Sequence, residues 1–105
     1  MKELLELGET PDEIATKLIQ LECKGEIGNS DRCPLANYIK NKVKNVYLVN
    51  VGQTKLEVFI RRPVKLLDSF YPQFCTHFTI YFGKIFEEFI KNFDSGLYPK
   101  LIRNL

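Results

Sequence analysis

The chain contains no tryptophan, one histidine and one methionine among its 105 residues. Because acid–base and nucleophilic catalysis most often use histidine, a single imidazole leaves room for few catalytic arrangements. The sequence also lacks the G-x-x-x-x-G-K-[ST], G-x-G-x-x-G, G-x-S-x-G and H-E-x-x-H motifs. Its carboxylates offer no pair at an evident catalytic spacing, so we expect a protein that is not an enzyme.

The chain also lacks a large excess of either positive or negative charge. The chain has 15 basic and 13 acidic residues, for a net charge of +2, which by itself indicates neither nucleic acid nor an anionic membrane as partner. No apolar run approaches the roughly 18 to 20 residues of a membrane span. The acidic N-terminal stretch has no apolar core typical of a secretory signal. We therefore expect a cytoplasmic protein with no membrane partner.

Cysteine is scarce and its number is odd: Cys23, Cys33 and Cys75. Without an export signal, this predicts free thiols rather than a disulfide framework. Together with His77 they make a Cys3His set, which has the right ligand types for zinc. The paired C-x2-4-C spacing of structural zinc sites is absent, so we predict no metal and no other cofactor. Cys75 and His77 would share a face in a strand but diverge by about 200° in a helix.

What is present indicates a single small domain, residues 1–105, with a hydrophobic fraction of 45%. Thr10, Pro11 and Glu13 form the start signal of a first helix. Cys33-Pro34 starts a second helix, with Cys33 at the N-cap. Residues 46–61 alternate in strand fashion around Gly52 and predict a β-hairpin.

The C-terminal half is rich in phenylalanine. From Phe74 to Phe93 these residues recur every three to four positions, which predicts one long helix. Residues 76–82 also alternate, so a third strand followed by a shorter helix from Lys84 is the alternative. The predicted fold class is α+β: two N-terminal helices, a β-hairpin and a long Phe-rich C-terminal helix packed across the sheet.

The first candidate site is the Cys33 thiol. The positive end of a helix lowers the pKa of a cysteine there, and Arg32 would add to this effect. His77 is the one available base, so a thiol enzyme with a Cys33–His77 dyad is one hypothesis. The structural alternative is that Cys33 only fills a capping turn.

The second candidate is a basic patch with aromatic residues among it. Its proposed members are Lys40, Lys44, Arg61 and Arg62. Tyr38, Tyr47 and Phe59 lie among or next to them in the sequence. Such a surface can hold a nucleic-acid backbone and stack its bases, so nucleic acid is an alternative partner. A plain solvated surface is the other reading of these charges.

The third candidate is a protein interface, because the C-terminal half holds more large aromatic side chains than a small domain easily buries. The predicted interface residues are Phe74, Phe78, Tyr81, Phe82, Phe86 and Tyr98. The leading functional hypothesis is a non-enzymatic regulatory protein, such as an accessory subunit or inhibitor of a larger machine. It would bind another protein or a second copy of itself through this aromatic-rich face.

Overall fold

A computed structural model describes residues 2–61 and 75–103. These residues form a small α+β domain with four α-helices and a three-stranded antiparallel sheet. In chain order the elements are α1 (Lys2–Leu5), α2 (Pro11–Gln20), α3 (Pro34–Lys42), β1 (Val46–Val51), β2 (Lys55–Arg61), β3 (Cys75–Tyr81) and α4 (Lys84–Asp94). A short 3-10 helix, Pro99–Leu101, follows α4.

The two predicted helix starts are confirmed. At α2 the hydroxyl of Thr10 accepts a hydrogen bond from the amide of Glu13 at 3.1 Å. At α3 the Cys33 sulfur accepts from the amide of Ala36 at 3.4 Å, with Pro34 in the first helical position. Both caps satisfy backbone N–H groups that have no partner inside the helix.

The predicted hairpin is confirmed as β1 and β2, and β3 pairs with the free side of β2. The strand order is β1-β2-β3. Alternate residues, among them Val49, Leu56 and Val58, face the helices and are fully or almost fully buried. On that side α3 packs against β1, and α2 packs against α4. The opposite face of the sheet, which we call the outer face, carries Glu57, Phe59 and His77.

The predicted long helix from Phe74 to Phe93 is wrong. Residues Cys75–Tyr81 pair along their whole length with β2, and α4 begins only at Lys84. This is the alternative arrangement of a third strand and a shorter helix. The spacing misled because Phe78 and Phe82 are four apart, which keeps them on one face of a helix and also on one face of a strand.

The C-terminal segment is tied to the connection between α2 and α3. The amide of Gly25 donates to the Leu101 carbonyl at 2.8 Å, and the amide of Arg103 donates to the Gly25 carbonyl at 2.8 Å. A β-carbon at Gly25 would lie 2.4 Å from backbone atoms of residues 32–34. Only glycine therefore allows the chain segments to approach so closely here. Among the residues described, no helix is both long enough and apolar enough to cross a membrane.

Candidate functional site

An apolar groove opens where three elements meet: α1, the end of β3 and the start of α4. It has a volume of about 740 Å³. Leu5, Tyr81 and Ile85 line it and are 78%, 75% and 39% exposed. Large apolar side chains exposed side by side in this way are typical of binding surfaces rather than of ordinary protein surface.

Packing and hydrogen bonds fix the elements that line the groove. Leu4 is buried beneath α1, and the hydroxyl of Tyr38 on α3 donates to the Glu3 carbonyl at 2.9 Å. On the other side the rings of Phe82 and Phe86 stack with centroids 5.6 Å apart. The groove is therefore built into the packing of the fold.

Charge at the groove is balanced. Of the Asp, Glu, Lys and Arg side chains, Glu9 and Lys84 are those that line it, and their charges have opposite sign. The groove therefore suits an uncharged, apolar occupant.

The open edge of β3 runs along the same end of the molecule. Beyond the paired strands, the amide of Phe82 donates to the carbonyl of Thr54 at 2.8 Å. Along antiparallel strands, residues that bond to the neighbouring strand alternate with residues that do not. The bond of Phe82 therefore shows which residues of β3 bond to β2. The residues between them direct their N–H and C=O groups away from β2, toward the open edge. The residues directed outward are His77, Thr79 and Tyr81.

The opposite edge of the sheet is protected, which makes the β3 edge distinctive. β1 is interrupted by a bulge between Val46 and Leu48, and the amide of Val51 donates to the carbonyl of Ser30 at 2.7 Å. Among the described residues, β3 shows neither a bulge nor a hydrogen bond of this kind from a loop to its outer edge. It also contains no Lys, Arg, Glu or Pro, the residues that usually discourage pairing at an edge. Within residues 2–61 and 75–103, no further strand pairs with it.

On the outer face the rings of Phe59 and His77 stack, and the Tyr47 ring lies tilted beside Phe59. The ring of Phe59 lies parallel to that of His77, with centroids 4.3 Å apart. Tyr47 lies next to Phe59 at 6.0 Å, and the guanidinium of Arg61 lies over the Tyr47 ring at 5.4 Å. Glu57 contacts the His77 imidazole at 3.1 Å. Phe59 and His77 therefore each cover one face of the other, and these two faces are not open for stacking with a nucleic-acid base.

The residues of the predicted basic patch are only partly brought together. The Lys40 ammonium donates to the Asp31 carbonyl in the loop before α3. Lys44 is exposed beyond the end of α3, near Arg61, whose amide donates to the Asn45 carbonyl at 2.8 Å. Arg62 lies outside the described residues. Lys44 and Arg61 are thus the members that share one end of the sheet, and nucleic-acid binding stays a prediction.

Cys33 and His77 lie on opposite sides of the sheet. Cys33 is part of the buried core with Leu56 and Val58, whereas His77 pairs opposite Phe59 on the outer face. Burial is the largest influence on the thiol and raises the pKa of Cys33 to about 11, although backbone N–H groups at the start of α3 partly oppose it. A protonated, buried thiol is a poor nucleophile. The geometry therefore assigns Cys33 to the helix cap and to the core.

The candidate zinc ligands do not come together at one site within the described residues. Cys23 and Cys33 are buried free thiols, and burial raises the pKa of Cys23. The side chain of Cys75 lies outside what the structure describes. In the described part of the chain, no group of three His, Cys, Asp or Glu side chains could hold a metal ion.

The predicted interface residues divide into three sets. Tyr81, Phe82 and Phe86 meet in the groove, and half-buried Phe78 lies on the same strand with its side chain toward the core side. Tyr98 instead stacks on Phe89 at 5.6 Å. Phe74 lies outside the described residues.

Sequence reasoning missed Leu5 and Ile85 as site residues, because each is only a large apolar residue near charged residues of its own helix, α1 or α4. Comparisons of the chain with protein-family models, with curated proteins and with solved structures found no match. The groove, the open edge of β3 and the outer face are therefore the structural features that bear on function.

Proposed function

We propose that this protein is a non-enzymatic binding protein, and that it binds a protein chain at the open edge of β3 and in the adjoining groove. The observation that carries the proposal is the convergence of Leu5, Tyr81 and Ile85 on an apolar groove beside outward-directed backbone groups of β3. A contiguous exposed apolar area marks an interaction site, and an unprotected strand edge is a template for pairing with another chain.

The occupant we propose is an extended, uncharged segment of protein that adds a strand to the sheet. Its backbone would bond to the N–H and C=O groups of His77, Thr79 and Tyr81, which supplies affinity without regard to sequence. Its side chains on one face would enter the groove, which supplies selectivity for apolar residues. The opposite charges of Glu9 and Lys84 disfavour a strongly charged segment.

A protein with such a surface acts by occupying a site on a larger partner or by completing it. We therefore propose a regulatory role, as an accessory subunit or an inhibitor, in which strand addition is the only chemistry required. The separation of Cys33 from His77 supports binding over thiol catalysis, since the dyad would need both groups at one place.

The test compares three forms of the purified, tagged protein as bait in a native lysate, with bound proteins identified by mass spectrometry. Leu5→Glu with Ile85→Glu places two charges in the groove at exposed positions, so the fold is expected to survive. Leu97→Glu is the matched control, because Leu97 is 62% exposed and lies outside the groove. We expect wild type and control to retain the same protein, and the double variant to lose it.

Nuclease treatment of a parallel sample separates this proposal from the nucleic-acid alternative. Retention of the protein partner after nuclease, together with its loss in the double variant, supports binding of a protein at the groove. If all bound material is released by nuclease, or if the double variant binds as wild type does, the groove is not the binding site.

A further inference from the structure

We propose that the segment bound at the β3 edge is β3 of a second copy of this chain, paired antiparallel about a two-fold axis through Thr79. This inference rests on the proposed function and names the occupant of its site. The sequence of β3, CTHFTIY, itself has the properties that the site requires: it is extended, it alternates, and it contains no residue with a permanent charge.

The outward-directed residues of β3 are arranged symmetrically. Thr79 lies midway between His77 and Tyr81, so an antiparallel pair centred on Thr79 places His77 of each copy opposite Tyr81 of the other. All three positions direct N–H and C=O groups toward the partner, which gives about six reciprocal backbone hydrogen bonds. A two-fold contact needs such a self-complementary surface.

Side chains match on both faces of the joined strands. On the core side, the same register places Phe78 of the second copy opposite Ile80, which lines the groove. On the outer face, Tyr81 of the second copy lies opposite His77 and so extends the stacked pair of His77 and Phe59. Cross-strand aromatic and β-branched pairs of this kind stabilise sheets. No like charges are brought together across the axis.

The resulting assembly also resolves the problem of the sheet edges. Two copies joined at β3 form one continuous six-stranded sheet, three strands from each copy. Both of its ends are then formed by β1, the strand with a bulge and with the bond from Val51 to Ser30. The dimer therefore covers the unprotected edge and leaves exposed only the protected one.

The first test is the mass of the full chain measured by sedimentation equilibrium over a range of concentrations. We expect twice the chain mass of 12.3 kDa. Thr79→Lys should raise the dissociation constant by about a hundredfold, because two ammonium groups then meet at the axis. Within one copy the new lysine lies opposite Glu57, so the fold tolerates it.

Asn50→Lys is the matched control for Thr79→Lys. Asn50 also pairs with Glu57, but from β1 on the far side of β2. It adds the same charge next to the same carboxylate, away from the proposed axis. We expect this variant to have the mass of wild type.

A second variant tests the register. Thr79→Cys in a Cys75→Ser background should give a covalent dimer with a short bismaleimide, because position 79 faces itself only across this axis. Gln53→Cys in the same background, in the exposed turn between β1 and β2, should give none. A dimer that survives Thr79→Lys and does not cross-link at position 79 uses another surface and overturns the inference.

The outcomes distinguish this inference from the proposed function. A monomer at every concentration overturns the two-fold pairing. If the Leu5→Glu, Ile85→Glu variant still loses its partner in the lysate experiment, the groove binds a different protein and the proposed function stands. If that variant also behaves as wild type, both fail.

Discussion

At the scale of single residues, Cys33 shows how one position serves the fold in two ways. Its sulfur accepts the Ala36 amide at the start of α3, and its side chain is buried in the core. The positive end of a helix favours a thiolate, whereas burial favours the thiol. Burial is the larger effect here and raises the pKa of Cys33 to about 11.

We therefore predict that Cys33 resists alkylation in the native protein. At pH 8 the thiolate fraction of a group with a pKa of about 11 is about 0.1%. The rate of modification by iodoacetamide should rise about tenfold per pH unit up to that pKa. Peptide mapping by mass spectrometry reports on each cysteine separately. Rapid modification of Cys33 at neutral pH would revive the hypothesis of a reactive thiol.

The same pKa predicts how stability changes in alkali. The thiol loses its proton near pH 9.0 in the unfolded chain and near pH 11 in the folded protein. The contribution of this thiol to the free energy of unfolding is therefore complete below pH 9. It falls by about 2 to 3 kcal/mol in total as the pH rises from 9 to 11. Cys33→Ser replaces the capping sulfur by a hydroxyl oxygen, which can still cap α3, and removes this titration. Denaturant unfolding should show a smaller loss between pH 9 and 11 for the variant; equal slopes would contradict the account.

Features that depend on neighbouring residues could be predicted from the sequence. The caps at Thr10 and Cys33 are confirmed because a cap involves only three or four consecutive residues. The end of α2 was less predictable: the helix ends at Gln20, well before the next glycine, Gly25, and Glu22 adopts a φ of 58°. Gly25 serves a long-range approach to residues 32–34 instead, which no local pattern reveals.

At the scale of elements, the third strand marks the limit of local reasoning. The Phe spacing fits a helix, but β2 has a second side that needs a partner, and residues 75–81 supply it. Such pairing is long-range and overrides a local periodicity. The helix α4 could be predicted, because its apolar stripe of Phe86, Phe89 and Phe93 is visible in the spacing of one short stretch of sequence.

The connection between α2 and α3 gives a test at this scale. Gly25→Ala forces a β-carbon against the backbone of residues 32–34 and disturbs the bonds to Leu101 and Arg103. We expect a loss of about 2 kcal/mol or more in unfolding free energy, measured by denaturant titration. Gly83→Ala is the control, since a β-carbon there meets nothing within 4 Å. Equal stabilities of the two variants would show that the close approach at Gly25 does not constrain the fold.

At the scale of the whole molecule, the two edges and two faces of the sheet differ in what they present. One face is core, and the other carries rings that stack on each other. One edge is protected, and the other is open beside an apolar groove. Sequence reasoning found Tyr81, Phe82 and Phe86 from their aromatic character. It could not find Leu5, because its position beside them depends on how α1 packs against the remote end of β3.

We propose above all that β3 gains a partner strand at its open edge. Amide hydrogen exchange by NMR reports on this pairing residue by residue. In the associated protein, the amides of His77 and Tyr81 should be as protected as those of Phe78 and Ile80, which bond to β2. In Thr79→Lys they should exchange rapidly while Phe78 and Ile80 stay protected. Equally rapid exchange of His77 and Tyr81 in both proteins, with the mass of a dimer or complex confirmed, would contradict the claim.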